Sequence, residues 1–232
     1  MDTLQLVHVS VEIWGSFFSL SFAILVFVTR RFEPVAARQL MAMLITNTLA
    51  LGSDVLAWLF RGDSSVLGYY MVRISNFCSF LFLFLVMATL SGYIAYLVKR
   101  RCGKDIVIWQ CIEMGIALCA VIILVASRIF GFLYDFDEEN RYYRTEFGWL
   151  LGALGFLGLL LVLVVITLYG RYMKKLETIS LYVLVLLPIT GILMQTFYYG
   201  ISYTNLALTC SVLILFFSYE HEYTVYMVEK ER

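Results

Sequence analysis

Charge is scarce in this chain. Asp, Glu, Lys and Arg make up 15% of 232 residues against 62% hydrophobic, and the mean hydropathy is +0.86. Soluble domains sit near half apolar, so a soluble fold is excluded and an integral membrane protein is expected. The two signs balance at 17 each, which removes the basic surface that nucleic-acid binding needs. Histidine is limited to His8 and His221. Neither has a second His at ligand spacing, and His221-Glu222 lacks the rest of H-E-x-x-H, so no zinc-protease motif is present. A phospho-accepting role for His221 needs a following ATP-binding domain, which the sequence does not contain. No lysine lies inside an apolar run, which excludes a retinal Schiff base. There is no P-loop and no G-x-S-x-G, so no motif supports an enzyme, and no cofactor or metal site is expected. Four of the five cysteines (Cys78, Cys111, Cys119 and Cys210) fall in apolar runs, and Cys102 lies in a basic loop. None has metal-site spacing, and no disulfide framework is expected.

What the chain has is long hydrophobic runs. Seven reach spanning length: Leu6–Val28, Leu40–Phe60, Tyr70–Leu97, Ile106–Phe130, Gly148–Tyr169, Ile179–Tyr198 and Ser202–Tyr219. The expected fold is therefore an all-α polytopic membrane protein, a bundle of seven transmembrane helices with short antiparallel connections. The first run has no basic n-region and is too long for a cleavable signal peptide, so it reads as a span. Lys and Arg set the orientation. The segments 30–38, 99–104 and 171–175, with the C-terminal tail, carry twelve of them. The opposite side carries five: Arg61, Arg73, Arg128, Arg141 and Arg144. The N-terminus is then outside, the C-terminus is cytosolic, and the acidic loop 135–140 faces out. The expected location is the plasma membrane, multi-pass, with the lipid bilayer as the first partner.

The last run continues without Pro or Gly from Thr204 into the charged tail HEYTVYMVEKER. About 28 residues of helix measure roughly 42 Å, against about 30 Å for a bilayer core. The chain thus divides into a seven-helix domain, 1–220, and a cytosolic helical extension, 221–232. Phe216, Tyr219, Tyr223 and Tyr226 recur at steps of three, four and three, the a/d spacing of a coiled coil. Aromatic residues at a membrane exit also form an interfacial belt. Tyr219 reads as belt, Tyr223 and Tyr226 as a seam, and a homodimer is a further expectation.

Ionisable groups are costly inside a bilayer and usually face the bundle interior. Placed by depth, Glu12, Asp54, Arg73, Asn76, Arg128, Gln195 and Asn205 all fall in the outer half, and only Glu113 lies toward the inner third. This one-sided distribution points to a ligand cavity open to the outside, with pairing such as Asp54–Arg73 within it. The competing reading is that these groups are interfacial or pair only to hold helices together. The fifth helix carries Gly148, Gly152, Gly155 and Gly158, and Gly148-xxx-Gly152 fits the small-residue pattern of close helix approach. Pro188 marks a kink in the sixth helix, structural or hinge-like.

Three stretches carry a family likeness: NTLALGSDVLAWLF (Asn47–Phe60), SRIFGFLYDFDEENRYYR (Ser127–Arg144) followed by EFGWL, and ETISLYVLVLLPITGILMQTFYYGISYTNLALTCSVLILFF (Glu177–Phe217). Together they resemble the seven-transmembrane N-terminal sensor region of Firmicutes signalling proteins, especially of clostridial type. The matching positions include Asp54, the loop Phe136–Tyr143, Pro188, Gln195 and Asn205. The resemblance implies a cytosolic effector, a GGDEF diguanylate cyclase or a histidine kinase, but no particular ligand. This sequence reaches Arg232 with neither a G-G-D-E-F nor an ATP-binding motif. The effector is therefore expected to be a separate partner, or lost or absent from this sequence. The expectation is a signal-input module that binds an extracellular or membrane-borne ligand in its outer half and transmits through the last helix, with Pro188, Tyr223 and Tyr226 in the path. A small-molecule transporter and a ligand-free membrane partner protein remain alternatives.

Overall fold

The computed structural model describes residues 3–29, 34–197 and 202–231. Arg30 and Arg31 of the basic loops and Arg232 lie outside them, as does the side chain of Tyr226. Among the described residues the chain forms seven α-helices: α1 (Thr3–Thr29), α2 (Pro34–Leu59), α3 (Val66–Cys102), α4 (Val107–Phe130), α5 (Trp149–Tyr169), α6 (Lys175–Phe197) and α7 (Tyr203–Glu231). A 3-10 turn at Gly170–Tyr172 prolongs α5. The helices α1 to α6 are long and apolar enough to cross a membrane. The 29-residue α7 has the length, but Asn205, Thr209 and Ser211 dilute its apolar run, and it is not among those six. The chain is a helical membrane-type protein.

Local chemistry sets the helix ends. Pro34 opens α2, where its missing N–H is one of the helix's orphan donors in any case. Ser65 caps α3 by accepting the Gly68 N–H at 3.0 Å. Gly103 ends α3 with φ 67°, donating its N–H to Lys99 O at 2.9 Å. Gly131 ends α4 in the same left-handed way, donating to Ser127 O. Between these caps α3 runs 37 residues, about 55 Å at 1.5 Å per residue, past the expected end at Leu97. Its added turn carries Lys99, Arg100 and Arg101, cations that the helix C-terminus favours.

The bundle packs α2 against α1 and α3, and α6 against α7. Leu40, Met43 and Leu44 of α2 meet Leu90, Ile94 and Leu97 of α3, Leu184 and Val185 of α6, and Val212, Leu215 and Phe216 of α7 in one buried core. The helix α6 passes through Pro188 without ending. Three residues on, at Gly191, α6 and α7 approach closely. A Cβ there would sit 2.8 Å from Tyr203 O and 3.0 Å from Thr204 Cα.

The segment between α4 and α5, read from sequence as a loop, is a β-hairpin. Strands β1 (Tyr134–Phe136) and β2 (Tyr142–Arg144) pair antiparallel, with Asp135 opposite Tyr143. Three residues per strand are too few to show an alternating pattern. Its turn is closed by Asp137, whose carboxylate accepts the Arg141 N–H at 2.6 Å, and by Asn140 at φ 60°. Asn140 also ties the turn to the α2–α3 connection, donating to Asp63 O at 2.9 Å and accepting the Gly62 N–H at 3.3 Å.

The close approach at Gly191 is testable. Gly191→Leu forces α6 and α7 apart and should cost about 1–3 kcal/mol, read as a lowered thermal midpoint in detergent or nanodiscs. Gly115→Ala on α4, where a Cβ meets nothing within 4 Å, should leave the midpoint unchanged or raised.

Candidate functional site

At the hairpin end of the bundle, α2, α3, α5, α6, α7 and the hairpin enclose a cavity of about 560 Å³. Small-molecule sites typically measure roughly 300–1,000 Å³. Its walls are largely apolar and aromatic: Phe80, Phe84, Met87, Leu133, Trp149 and Phe156. Polar groups join them: Asp54, Arg61, Asn76, Arg144, Glu146, Gln195, Thr204 and Asn205. The glycines of α5 account for much of the space. Gly152 and Gly155 line the cavity, and a Cβ on either would meet nothing within 4 Å. The expected helix contact along Gly148-xxx-Gly152 does not form there. Gly148 instead lies against the hairpin, where a Cβ would be 2.8 Å from Leu133 O. Gly158 makes room for the buried Glu113, whose Oε1 would be 2.9 Å from a Cβ.

Beside the cavity lies a cluster of ionisable side chains. His8 and Glu12 are one turn apart on α1, which puts them on one face. His8 Nε2 is 3.5 Å from Glu12 Oε2 and 3.4 Å from Asp54 Oδ2 of α2. The start of α7 closes the cluster. Asn205 Nδ2 donates to Glu12 Oε1 at 3.1 Å and to Asp54 Oδ2 at 3.2 Å, and Ser202 Oγ donates to Asp54 at 2.9 Å. The Ser202 N–H points at His8 Nδ1 at 3.3 Å, so a neutral imidazole carries its proton on Nε2, toward the carboxylates. The Trp58 indole packs edge-on against the ring at 4.9 Å. One heptad along α2, Asn47 donates to Ser19 Oγ at 2.8 Å and Thr209 Oγ1 at 3.1 Å, joining α1, α2 and α7 a second time.

The sequence-derived residues separate into groups. Glu12, Asp54 and Asn205 meet directly. Asp54, Asn76, Gln195 and Asn205 line the cavity, as does Pro188. Gln195 Oε1 accepts from Thr204 Oγ1 at 2.7 Å. Arg73 stands elsewhere, and the expected pairing with Asp54 gives way to another. Its guanidinium donates to Asn140 Oδ1 at 2.5 Å and lies over the Tyr69 and Phe136 rings at 3.6 and 4.5 Å. It fastens the hairpin, because Asp54 is already occupied by His8, Ser202 and Asn205. Arg128 is exposed in the last turn of α4 and does not line the cavity. Tyr223 is half-buried on α7. The basic groups of the cavity wall are instead Arg61, which sits over the Trp58 ring at 4.9 Å, and Arg144. His8 has no second histidine at ligand spacing, so the metal-motif criterion does not single it out. The available signal was His8-x-x-x-Glu12, one turn of helix. The Tyr134 hydroxyl is buried without a partner on the same wall, and burial pushes its phenol up to about 12.

At the opposite end, α7 is held by charge. Arg101 of α3 forms a bidentate pair with Glu177 of α6 and reaches Glu222 of α7 at 3.2 Å, while Lys174 reaches Glu222 at 3.4 Å. Burial, and then the neighbouring Glu177 carboxylate, push the Glu222 carboxyl up from its ordinary value. Both ends of α7 thus meet the bundle through polar contacts. Compared with protein-family models and with curated proteins, the chain matches none.

Arg73→Ala removes a charge-assisted bond worth about 1.5–3 kcal/mol, so amide exchange across β1 and β2 should speed up roughly tenfold or more while α1–α7 stay protected. For Glu222, the raised carboxyl favours the fold most below the ordinary Glu range, about pH 4, and that contribution is lost as pH rises through the raised value. Thermal scans across that window should show a falling midpoint, with a shallower fall in Glu222→Gln.

Proposed function

We propose that this chain is a membrane-embedded signal-input module: a small amphipathic ligand occupies the cavity, and α7 carries the response to the other face of the bilayer. The observation that carries this reading is that one helix touches both places. Thr204, Asn205 and Leu208 of α7 belong to the cavity wall, and Glu222 of the same helix sits in the Arg101–Glu177 clamp. In this reading α7 is the seventh crossing, the hairpin end with its acidic turn is outside, and the Lys/Arg-rich end is cytosolic, in keeping with the positive-inside rule. The membrane is the plasma membrane, and the partner is a cytosolic effector of the diguanylate cyclase or histidine kinase type, acted on by the end of α7.

The cavity chemistry indicates the ligand class. An aromatic and aliphatic interior suits an apolar body. Arg61, Arg144, Glu146, the Tyr134 hydroxyl and Asp54 offer both donors and acceptors to a polar head. Binding moves α7 only as far as the ligand distinguishes two positions of that helix. The polar groups of the site, among them Asp54, Arg61, Arg144, Glu146 and Asn205, gather at the hairpin end, while its apolar part reaches Met87, Leu159 and Pro188 at mid-helix; transporter sites usually lie near the midplane, so the placement of the polar groups favours sensing over transport.

A thermal-shift screen of amphipathic small molecules on the purified chain in nanodiscs tests this. Ligands that raise the midpoint of the wild type should lose that effect in Gly155→Leu, which fills the cavity, and in Asp54→Ala. They should keep it in Arg73→Ala. Ligands indifferent to Gly155→Leu would move binding elsewhere, and saturable solute flux in proteoliposomes would replace sensing by transport.

A further inference from the structure

The His8–Glu12–Asp54 cluster calls for an occupant of its own, whatever binds in the cavity. His8 and Glu12 are 2% and 4% exposed, and the Asp54 side chain 13%. Among the described residues, no Lys or Arg pairs with either carboxylate. The hydrogen bonds from Asn205 and Ser202 satisfy Glu12 Oε1 and Asp54 Oδ2, but His8 Nε2 and Glu12 Oε2 have no hydrogen-bond partner among the described residues. With both carboxyls ionised, one imidazole leaves an excess of negative charge in a low-dielectric interior, where an uncompensated charge is costly; a proton or a cation must offset it. A divalent cation supplies the missing charge in full.

The geometry fits one. Metal–ligand distances of about 2.0–2.2 Å in a tetrahedron put neighbouring ligand atoms about 3.4 Å apart. Here Nε2 is 3.5 Å from Glu12 Oε2 and 3.4 Å from Asp54 Oδ2, and the three atoms lie within 4.8 Å of one another. The ligands come from two helices whose relative position is set independently, by Asn47 on Ser19. Asp54 also lines the cavity, so the site adjoins it. One imidazole with two carboxylates suits a borderline cation such as Zn²⁺ or Mn²⁺.

We infer that His8 Nε2, Glu12 Oε2 and Asp54 Oδ2 form a binding site for a divalent transition-metal cation, and that filling it shifts the start of α7. The coupling runs through the imidazole. Coordination uses the Nε2 lone pair, so the ring proton moves from Nε2 to Nδ1, through solvent exchange, and the neutral metal-bound ring carries N–H at Nδ1. The Ser202 N–H, which points at Nδ1 at 3.3 Å, then faces another donor and must turn away. Ser202 immediately precedes α7, so metal entry at α1 and α2 acts directly on the first turn of the helix that reaches Glu222.

The experiment uses the whole chain in nanodiscs after chelator treatment, with Zn²⁺ alone as the probe and titration calorimetry as the readout. The expected result is one Zn²⁺ per chain, with affinity lowered at least tenfold in His8→Ala and in Glu12→Gln and unchanged in His221→Ala. X-ray absorption at the zinc edge of the wild type needs no variant to fold. It should show one imidazole, oxygen ligands and no sulfur. A sulfur-containing shell would give the metal to the cysteines and overturn the assignment, as would failure to bind or binding that ignores His8→Ala. Hydrogen exchange at the start of α7 should change on adding Zn²⁺. If a pH step without metal produces that change and Zn²⁺ does not, protons are the occupant and the inference fails.

Discussion

Apolar helices in lipid have little to tell them which neighbour to choose, because the solvent is as apolar as their own surfaces. In this chain that choice rests on a few buried polar contacts joining α1, α2 and α7. Asn205 reaches from α7 to carboxylates on both other helices, and Asn47 reaches from α2 to hydroxyls on α1 and α7. Each interhelical bond of this kind contributes only about 0.6 kcal/mol on average. Their value is in direction: any other rotation of α7 would leave Glu12 and Asp54 buried without donors. The leucine and valine core then packs around a seam already chosen.

The cavity is a consequence of that seam and of what does not fill the space beside it. With α7 drawn toward α1 and α2, α5 lines the gap in part with Gly152 and Gly155, where no side chain takes up the space, between the side chains of Leu151, Phe156 and Leu159. The hairpin covers one end, with Tyr134 stacked on Phe80 at 5.7 Å. Arg73 holds it through Asn140, a contact 67 residues apart in sequence. Removing side chains in one place and fastening a loop in another produces a partly open, mostly apolar volume with polar groups at its edge.

The contrast between the two ends of α7 gives the arrangement its mechanical sense. One end is held by hydrogen bonds from Ser202 and Asn205 to buried carboxyl groups and a buried histidine. The other is held by an ion-pair cluster, Arg101, Glu177, Glu222 and Lys174, that is partly open to solvent. A helix has few internal degrees of freedom, so a displacement at Ser202 and Asn205 must appear at the far clamp or be absorbed as tilt. Charge pairs near water exchange partners at little cost, so under the signal-input reading proposed above the far clamp is the end that yields.

Much of this was legible in the sequence. Hydropathy located the helices, because a bilayer requires about 20 apolar residues and every backbone group paired within the segment. The depth of Glu12, Asp54, Asn76, Gln195 and Asn205 along their helices placed them at one end, because rise per residue is fixed. The uninterrupted last helix followed from the lack of Gly and Pro after Thr204. The sequence could not say which of these groups would touch. Helical periodicity gives the face of a residue on its own helix and nothing about the rotation of the next one. Asp54 therefore met His8 and not Arg73, the α5 glycines opened a cavity and not a helix contact, and the loop after α4 became a hairpin. Those outcomes depend on relations between helices, and only packing in three dimensions decided them.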